Sequence, residues 1–139
     1  MVERHKEHIH EMNSYVNEFI KETSNFIEKS LIKEDINLIR KSDGRKKGSC
    51  ECCKHGSYIY FLFDDLDKII YIGESGQSVK HRLFTDGTGS HCGKYWFSDV
   101  KYLKYYKDDD MGSNVRKLLE RVLIAKYNPI YNDGNANKH

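Results

Sequence analysis

Before residue 40 the apolar positions recur at helical intervals, and from residue 58 onward they gather into short strand-like runs. Ile9, Met12, Val16, Phe19, Ile20 and Ile27 stand among charges over residues 6–29, which lines them along one stripe of a helix. Leu31, Ile32, Ile36 and Ile39 continue that spacing past a break near Ser30, so a second helical piece is expected there. The stretch 40-RKSDGRKKG-48 places five basic side chains around a turn-like Ser-Asp-Gly and reads as a solvated connecting loop.

The segment 58-YIYFLFDDLDKIIYIGES-75 reads as two strands joined by an acidic turn. Pairing Phe63 with Lys68 leaves the four-residue loop Asp64-Asp65-Leu66-Asp67 and sets Tyr60 directly opposite Tyr71. In that register Ile59, Phe61, Phe63, Ile70 and Ile72 form the core face. Tyr60, Tyr71, Tyr58, Leu62 and Ile69 form an amphipathic second face, suited to the floor of a cleft.

Beyond Gly73, Ser75 or Ser78 is placed to cap a short helix that turns Val79, Leu83 and Phe84 inward. The loop 85-TDGTGSHCG-93 carries His91, and residues 95–106 are strand-like. Asp108 to Asp110 mark a turn before a helix over 113–128, striped by Val115, Leu118, Leu119, Val122 and Leu123 and stopped by Pro129. Only the tail 133–139 has the composition of a disordered segment.

Composition narrows the class. At 139 residues, with 32% charged and 38% apolar side chains, the chain has the make-up of one globular domain with a small appendage. No apolar run is long enough to cross a bilayer, and MVERHKEHIH is too charged for a secretory signal, so a cytoplasmic location is the default expectation. A net charge of +2 neither demands nor excludes a polyanion. Three of the four cysteines crowd into 50-CECCKHG-56. Cys50 and Cys53 have a zinc-like spacing that His55 and Cys92 would complete; the alternative is free thiols in a loop. His91 cannot serve both zinc and catalysis.

Four side chains suggest chemistry. Glu120 lies at the edge of the last helix's apolar stripe, where it either reaches a cleft or pairs on the surface with Arg116 or Arg121. Arg82, on the short helix, has the head group for a bidentate phosphate clamp, or else is simply solvated. His91 suits proton transfer near neutral pH, with His81 as its rival. Ten tyrosines, nine of them from Tyr58 onward, suit strands and interfaces as well as a site.

The order Tyr60, 71-YIG-73, Arg82, His91, Glu120, Asn132, closed by 119-LERVLIAKYNPIYN-132, resembles the GIY-YIG nuclease family over residues 56–132. Tyr58 stands where the family's first motif carries glycine, and eight residues separate Gly73 from Arg82 where seven are usual. The resemblance implies an α+β fold, a three-stranded antiparallel sheet flanked by helices. A helical extension would occupy residues 1–40, a basic and Cys-rich linker 41–55, and the nuclease domain 56–132.

It also implies a metal-dependent endonuclease acting on DNA. Glu120 would hold one Mg²⁺ or Mn²⁺ and Arg82 would neutralise phosphate charge. Tyr60 would take the proton from the attacking water, aided by positive charge that lowers its pKa. Tyr71 and His91 would assist, and Asn132 would fix the last helix against the site. Arg40, Lys41, Arg45, Lys46 and Lys47 offer a phosphate-tracking patch. The alternatives are a catalytically silent DNA-binding module of the same fold and a protein that binds partners through its N-terminal helices. Those helices fit three roles: covering the core, touching DNA, or pairing two subunits into a homodimer.

Overall fold

The computed structural model describes residues 2–42, 50–85 and 90–132, with side chains from residue 10 onward. It separates into two units, Met1–Ser30 and Leu31–His139. The first unit is the helix α1 (Val2–Lys29), 28 residues and therefore about 42 Å long. Ser30 closes it by donating its hydroxyl to the Phe26 carbonyl at 2.8 Å. Met12, Val16 and Phe19 of the expected stripe stand more than half exposed.

The second unit holds a four-stranded antiparallel sheet of β1 (Ile32–Asp35), β2 (Tyr58–Phe63), β3 (Ile69–Ser75) and β4 (Tyr102–Lys107), in the order β1-β4-β2-β3. The α+β class with helices flanking an antiparallel sheet is as expected, but there are four strands rather than three. The additional strand is Ile32–Asp35, whose isoleucine spacing reads as helix in isolation. It pairs instead with Tyr102–Tyr105, so residues beyond Ser30 belong to the sheet unit. Helix begins only at α2 (Ile36–Lys41), where the Asp35 carboxylate accepts from the Leu38 N–H at 3.0 Å. Arg40 and Lys41 therefore end a helix rather than open a loop.

The hairpin register also differs. Asp64 accepts the Leu66 and Lys68 N–H groups on its side chain, Asp67 turns at φ 62°, and a bulge falls between Leu62 and Phe63. Tyr60 consequently faces Gly73, and Tyr71 faces Leu62. The two phenols are diagonal neighbours on one face rather than directly opposed.

That face carries the larger core. Tyr58, Tyr60 and Leu62 join Leu103 and Tyr105 of β4, and α2, α3 (Val79–Phe84), Trp96 and Phe97 pack over them. The expectation that the core lies only under Ile59, Phe61, Phe63, Ile70 and Ile72 is thus corrected, and Ile70 itself joins the Tyr60 cluster. Ile59, Phe61 and Ile72 are buried too, on the side covered by α4 (Ser113–Tyr127), where Phe61 meets the Tyr127 ring at 6.1 Å. A strand buried on both faces is a continuous apolar run, which is what YIYFLF is.

Within α4 only Leu119 and Leu123 of the stripe are buried; Val115 and Leu118 are 41% and 43% exposed. Asn128 enters the left-handed region at φ 46° just before Pro129, which ends the helix as expected. Residues 95–101 do not extend β4. Trp96 sits in a turn followed by a 3-10 turn at Phe97–Asp99, held there by ring stacking with Tyr71 and Tyr131.

Candidate active site

Tyr60 projects from the central strand over Gly73 of its neighbour. A β-carbon at Gly73 would collide with the Tyr60 ring and hydroxyl, so this glycine lets the phenol cross β3 toward the sheet edge. The Tyr60 hydroxyl is then within 2.7 Å of His91 Nε2. Tyr71 stacks near Tyr60 at 6.4 Å and meets the His91 ring edge-on at 4.6 Å. Behind them Tyr71, Trp96 and Tyr131 form a stacked column, with centroid separations of 5.2 and 5.1 Å.

Arg82 comes from α3, whose start is set by Ser78 accepting the His81 N–H at 3.0 Å. Its guanidinium acts on the Tyr60 hydroxyl by charge and hydrogen bonding. In the Nδ1–H tautomer of neutral His91 the phenol donates to Nε2, and in the Nε2–H tautomer the phenol oxygen accepts from it. His91 Nδ1 is buried with no partner among the described residues.

The titration pattern follows from this burial. Tyr60 is fully buried, and desolvation together with the neighbouring Tyr71 lifts its pKa well above 10, against the pull of Arg82. The expected lowering of the Tyr60 pKa by positive charge is therefore corrected: burial outweighs Arg82 and favours the neutral phenol. Burial and the Glu120 charge raise Tyr71 to about 12. Burial, with the charges of Arg82 and Lys94, lowers His91 to about 4, so it is neutral at physiological pH.

Glu120 reaches the same edge of the sheet from α4, on the other side. Its pKa is raised to about 7, first by burial and then by the charge of Glu74; Arg82, Arg121 and the Glu74 backbone N–H offset only part of this. Arg116 does not pair with Glu120. It is committed to Glu74 and to the Ser57 hydroxyl, the latter at 3.0 Å. Asn132 seals the outer edge of β3, accepting the Ile72 N–H at 2.8 Å and donating to the Ile72 carbonyl at 2.9 Å. It thereby ties the 3-10 turn after α4 to the strand that carries Tyr71.

Tyr60, Tyr71, Arg82, His91 and Glu120 are thus gathered at one edge, with Asn132 bracing it. Glu74, Arg116 and Trp96 also belong to this surround and were not singled out as site residues from the sequence. The signal for the first lay in its position, directly behind the 71-YIG-73 glycine. His81 is exposed on α3 and has no hydrogen bond to the tyrosines among the described residues.

Arg40 lies over the Phe84 ring at 5.0 Å and Lys41 is exposed, while Arg45, Lys46 and Lys47 lie outside the described residues, as does the tail 133–139. Cys50 and Cys53 are neighbours, with burial and Cys53 raising Cys50 to about 11, and Cys52 is fully buried. Cys92 instead contacts the Ser90 hydroxyl at 3.1 Å. Among the described residues no group of three or more His, Cys, Asp or Glu is placed to hold a metal ion, so Cys50, Cys53, His55 and Cys92 do not come together as a zinc set. No helix among the described residues is long and apolar enough to cross a membrane. No family model matches the sequence, and neither a curated protein nor a solved structure matches it.

Proposed function

We propose that this chain is a metal-dependent endonuclease of the GIY-YIG type that hydrolyses DNA phosphodiester bonds. The observation carrying this reading is the convergence of the Tyr60 hydroxyl, bonded to His91 Nε2 at 2.7 Å, with Arg82, Tyr71 and the half-buried Glu120 around one edge of the sheet. A cluster assembled from β2, β3, α3, a 3-10 turn and α4 is costly to bury, and titratable groups perturbed this way gather at functional sites.

The donor set fits a hard divalent cation. Glu120 is a half-buried carboxylate with the charge of a second carboxylate, Glu74, acting on it, and it would offer one oxygen-ligand residue to such an ion. Glu120 would hold Mg²⁺ or Mn²⁺, which would supply Lewis-acid stabilisation of charge on the scissile phosphate. Arg82 neutralises charge building on the non-bridging oxygens.

Tyr60 works as a relay. It accepts the proton of the attacking water while passing its own to His91 Nε2, so no phenolate has to be stored beforehand. In its Nδ1–H tautomer, neutral His91 has the open lone pair on Nε2 that this requires. Tyr71 hydrogen-bonds the water or the phosphate, and Asn132 keeps β3 in register with the end of α4.

Incubation of plasmid DNA with Mg²⁺ tests the reading. Wild type nicks the plasmid and Glu120→Ala does not, while both bind DNA. Equal binding with no cleavage by either protein points to a silent DNA-binding module. Absence of DNA binding at low salt leaves the helix-mediated partner reading.

A further inference from the structure

Two hollows flank the catalytic edge, and their charges differ in sign. One, of about 330 Å³, lies beside the hairpin turn and is lined by Asp64, Asp65 and Asp99 as well as Lys68 and Lys101. Its carboxylates repel a polyanion. The other, of about 340 Å³, lies between the β3–α3 loop and the first turns of α4, lined by Ser75, Gln77, His81, Arg82, Arg116 and Lys117 together with Glu74 and Gly76.

This second hollow is continuous with the site, since Arg82 and Glu74 border both. Gly76 shapes its floor: a side chain there would strike the Arg116 guanidinium, at 2.8 Å from the nearest nitrogen. Arg116 is in turn neutralised by Glu74. Arg82 is partly balanced by Glu74 and Glu120, which leaves Lys117 as the remaining cation of the lining, with His81 also lining it. Lys117 is exposed and makes no ion pair among the described residues.

We propose that this hollow is a phosphate subsite for the DNA strand, next to the scissile position, in which Lys117 and His81 hold the neighbouring phosphodiester while Arg82 engages the one that is cut. The inference rests on the nuclease reading and names the path of its substrate. The strand leaves the catalytic edge along α3 and α4, away from the acidic hairpin hollow. A phosphate contact of this kind adds affinity and register without reading bases.

The test compares Lys117→Ala and His81→Ala/Lys117→Ala with Lys126→Ala. Lys126 lies nine residues further along α4, about half a turn round from Lys117 and so on the opposite face. Duplex DNA binding is measured without metal across a range of salt concentrations, and single-turnover cleavage is measured with Mg²⁺ at saturating DNA. Loss of Lys117 is expected to weaken binding and to reduce the salt slope by about one. Lys126→Ala keeps the wild-type slope and the wild-type cleavage rate.

Equal slopes for wild type and both Lys117 variants overturn the subsite, even if wild type cleaves. Equal loss in Lys117→Ala and Lys126→Ala also overturns it, because the effect would then be general charge. Wild type that binds with the expected slope change yet never cleaves retains the subsite and defeats the nuclease. Absence of DNA binding by wild type defeats both.

Discussion

On one face of the sheet α4 sets Leu119 and Leu123 against the side bearing Ile59, Phe61 and Ile72, with the Arg116–Glu74 ion pair beside it. On the other, Tyr58, Tyr60, Leu62, Trp96 and His91 are buried just as deeply, yet they bring hydroxyl, indole and imidazole groups with them. The first face is held mainly by transfer of hydrocarbon out of water, with that ion pair and Glu120 at its margin. The second uses the same transfer to shift titrations, lifting Tyr60 and lowering His91. Depth of burial therefore does not separate scaffold from chemistry in this molecule. The presence of polar atoms bonded to one another at depth does.

The sharpest way to break this comparison is Tyr60→Phe. The ring stays, and only the relay atom is lost. Single-turnover cleavage should fall by about 10²–10⁴-fold, the usual worth of a proton-transfer group. A rate within a few-fold of wild type would return Tyr60 to the scaffold. On the opposite face Leu123→Ala should lower unfolding stability by about 2–5 kcal/mol in denaturant titrations. The cleavage rate of the fraction that remains folded should stay near that of wild type.

His91→Gln sharpens the contrast through pH. Because the folded protein keeps His91 neutral down to about 4 while the unfolded chain protonates near 6.5, acid favours unfolding between those values. The stability contributed at neutral pH is lost as pH falls through that window, by up to about 3 kcal/mol for a shift of this size. In His91→Gln this loss should vanish from stability curves recorded between pH 7 and pH 4. Leu118→Ser should do least, within about 0.5 kcal/mol, because Leu118 is 43% exposed although it was read as part of the buried stripe.

Elements defined by local chemistry were legible in the sequence. Ser78 caps α3, Pro129 stops α4, and the alternation through 58-YIYFLF-63 places Tyr60 with Tyr58 and Leu62. The α+β class followed from these. What escaped was decided by distant partners. Ile32–Asp35 becomes a strand only because β4 offers a free edge. Phe63 pairs with Ile69 rather than Lys68 and the bulge at Leu62/Phe63 adds one residue more, so Tyr60 moves from Tyr71 to Gly73, and nothing in a pattern of apolar positions marks either step. Trp96 read as a β-former, yet it lies in a turn because Tyr71 and Tyr131, distant in sequence, sandwich it. The charge state of Tyr60 was misread for a related reason: Arg82 is visible in the sequence, but the burial that outweighs it is not.

The amide of Asn132 has one more consequence. A β-strand at a sheet margin is a template on which another chain can add itself, and β3 is such a margin. By occupying both backbone groups of Ile72, this one side chain acts as a stopper against accretion. A chain shortened before residue 132, or carrying Asn132→Ala, would expose that template beside its most apolar strands and should polymerise on standing.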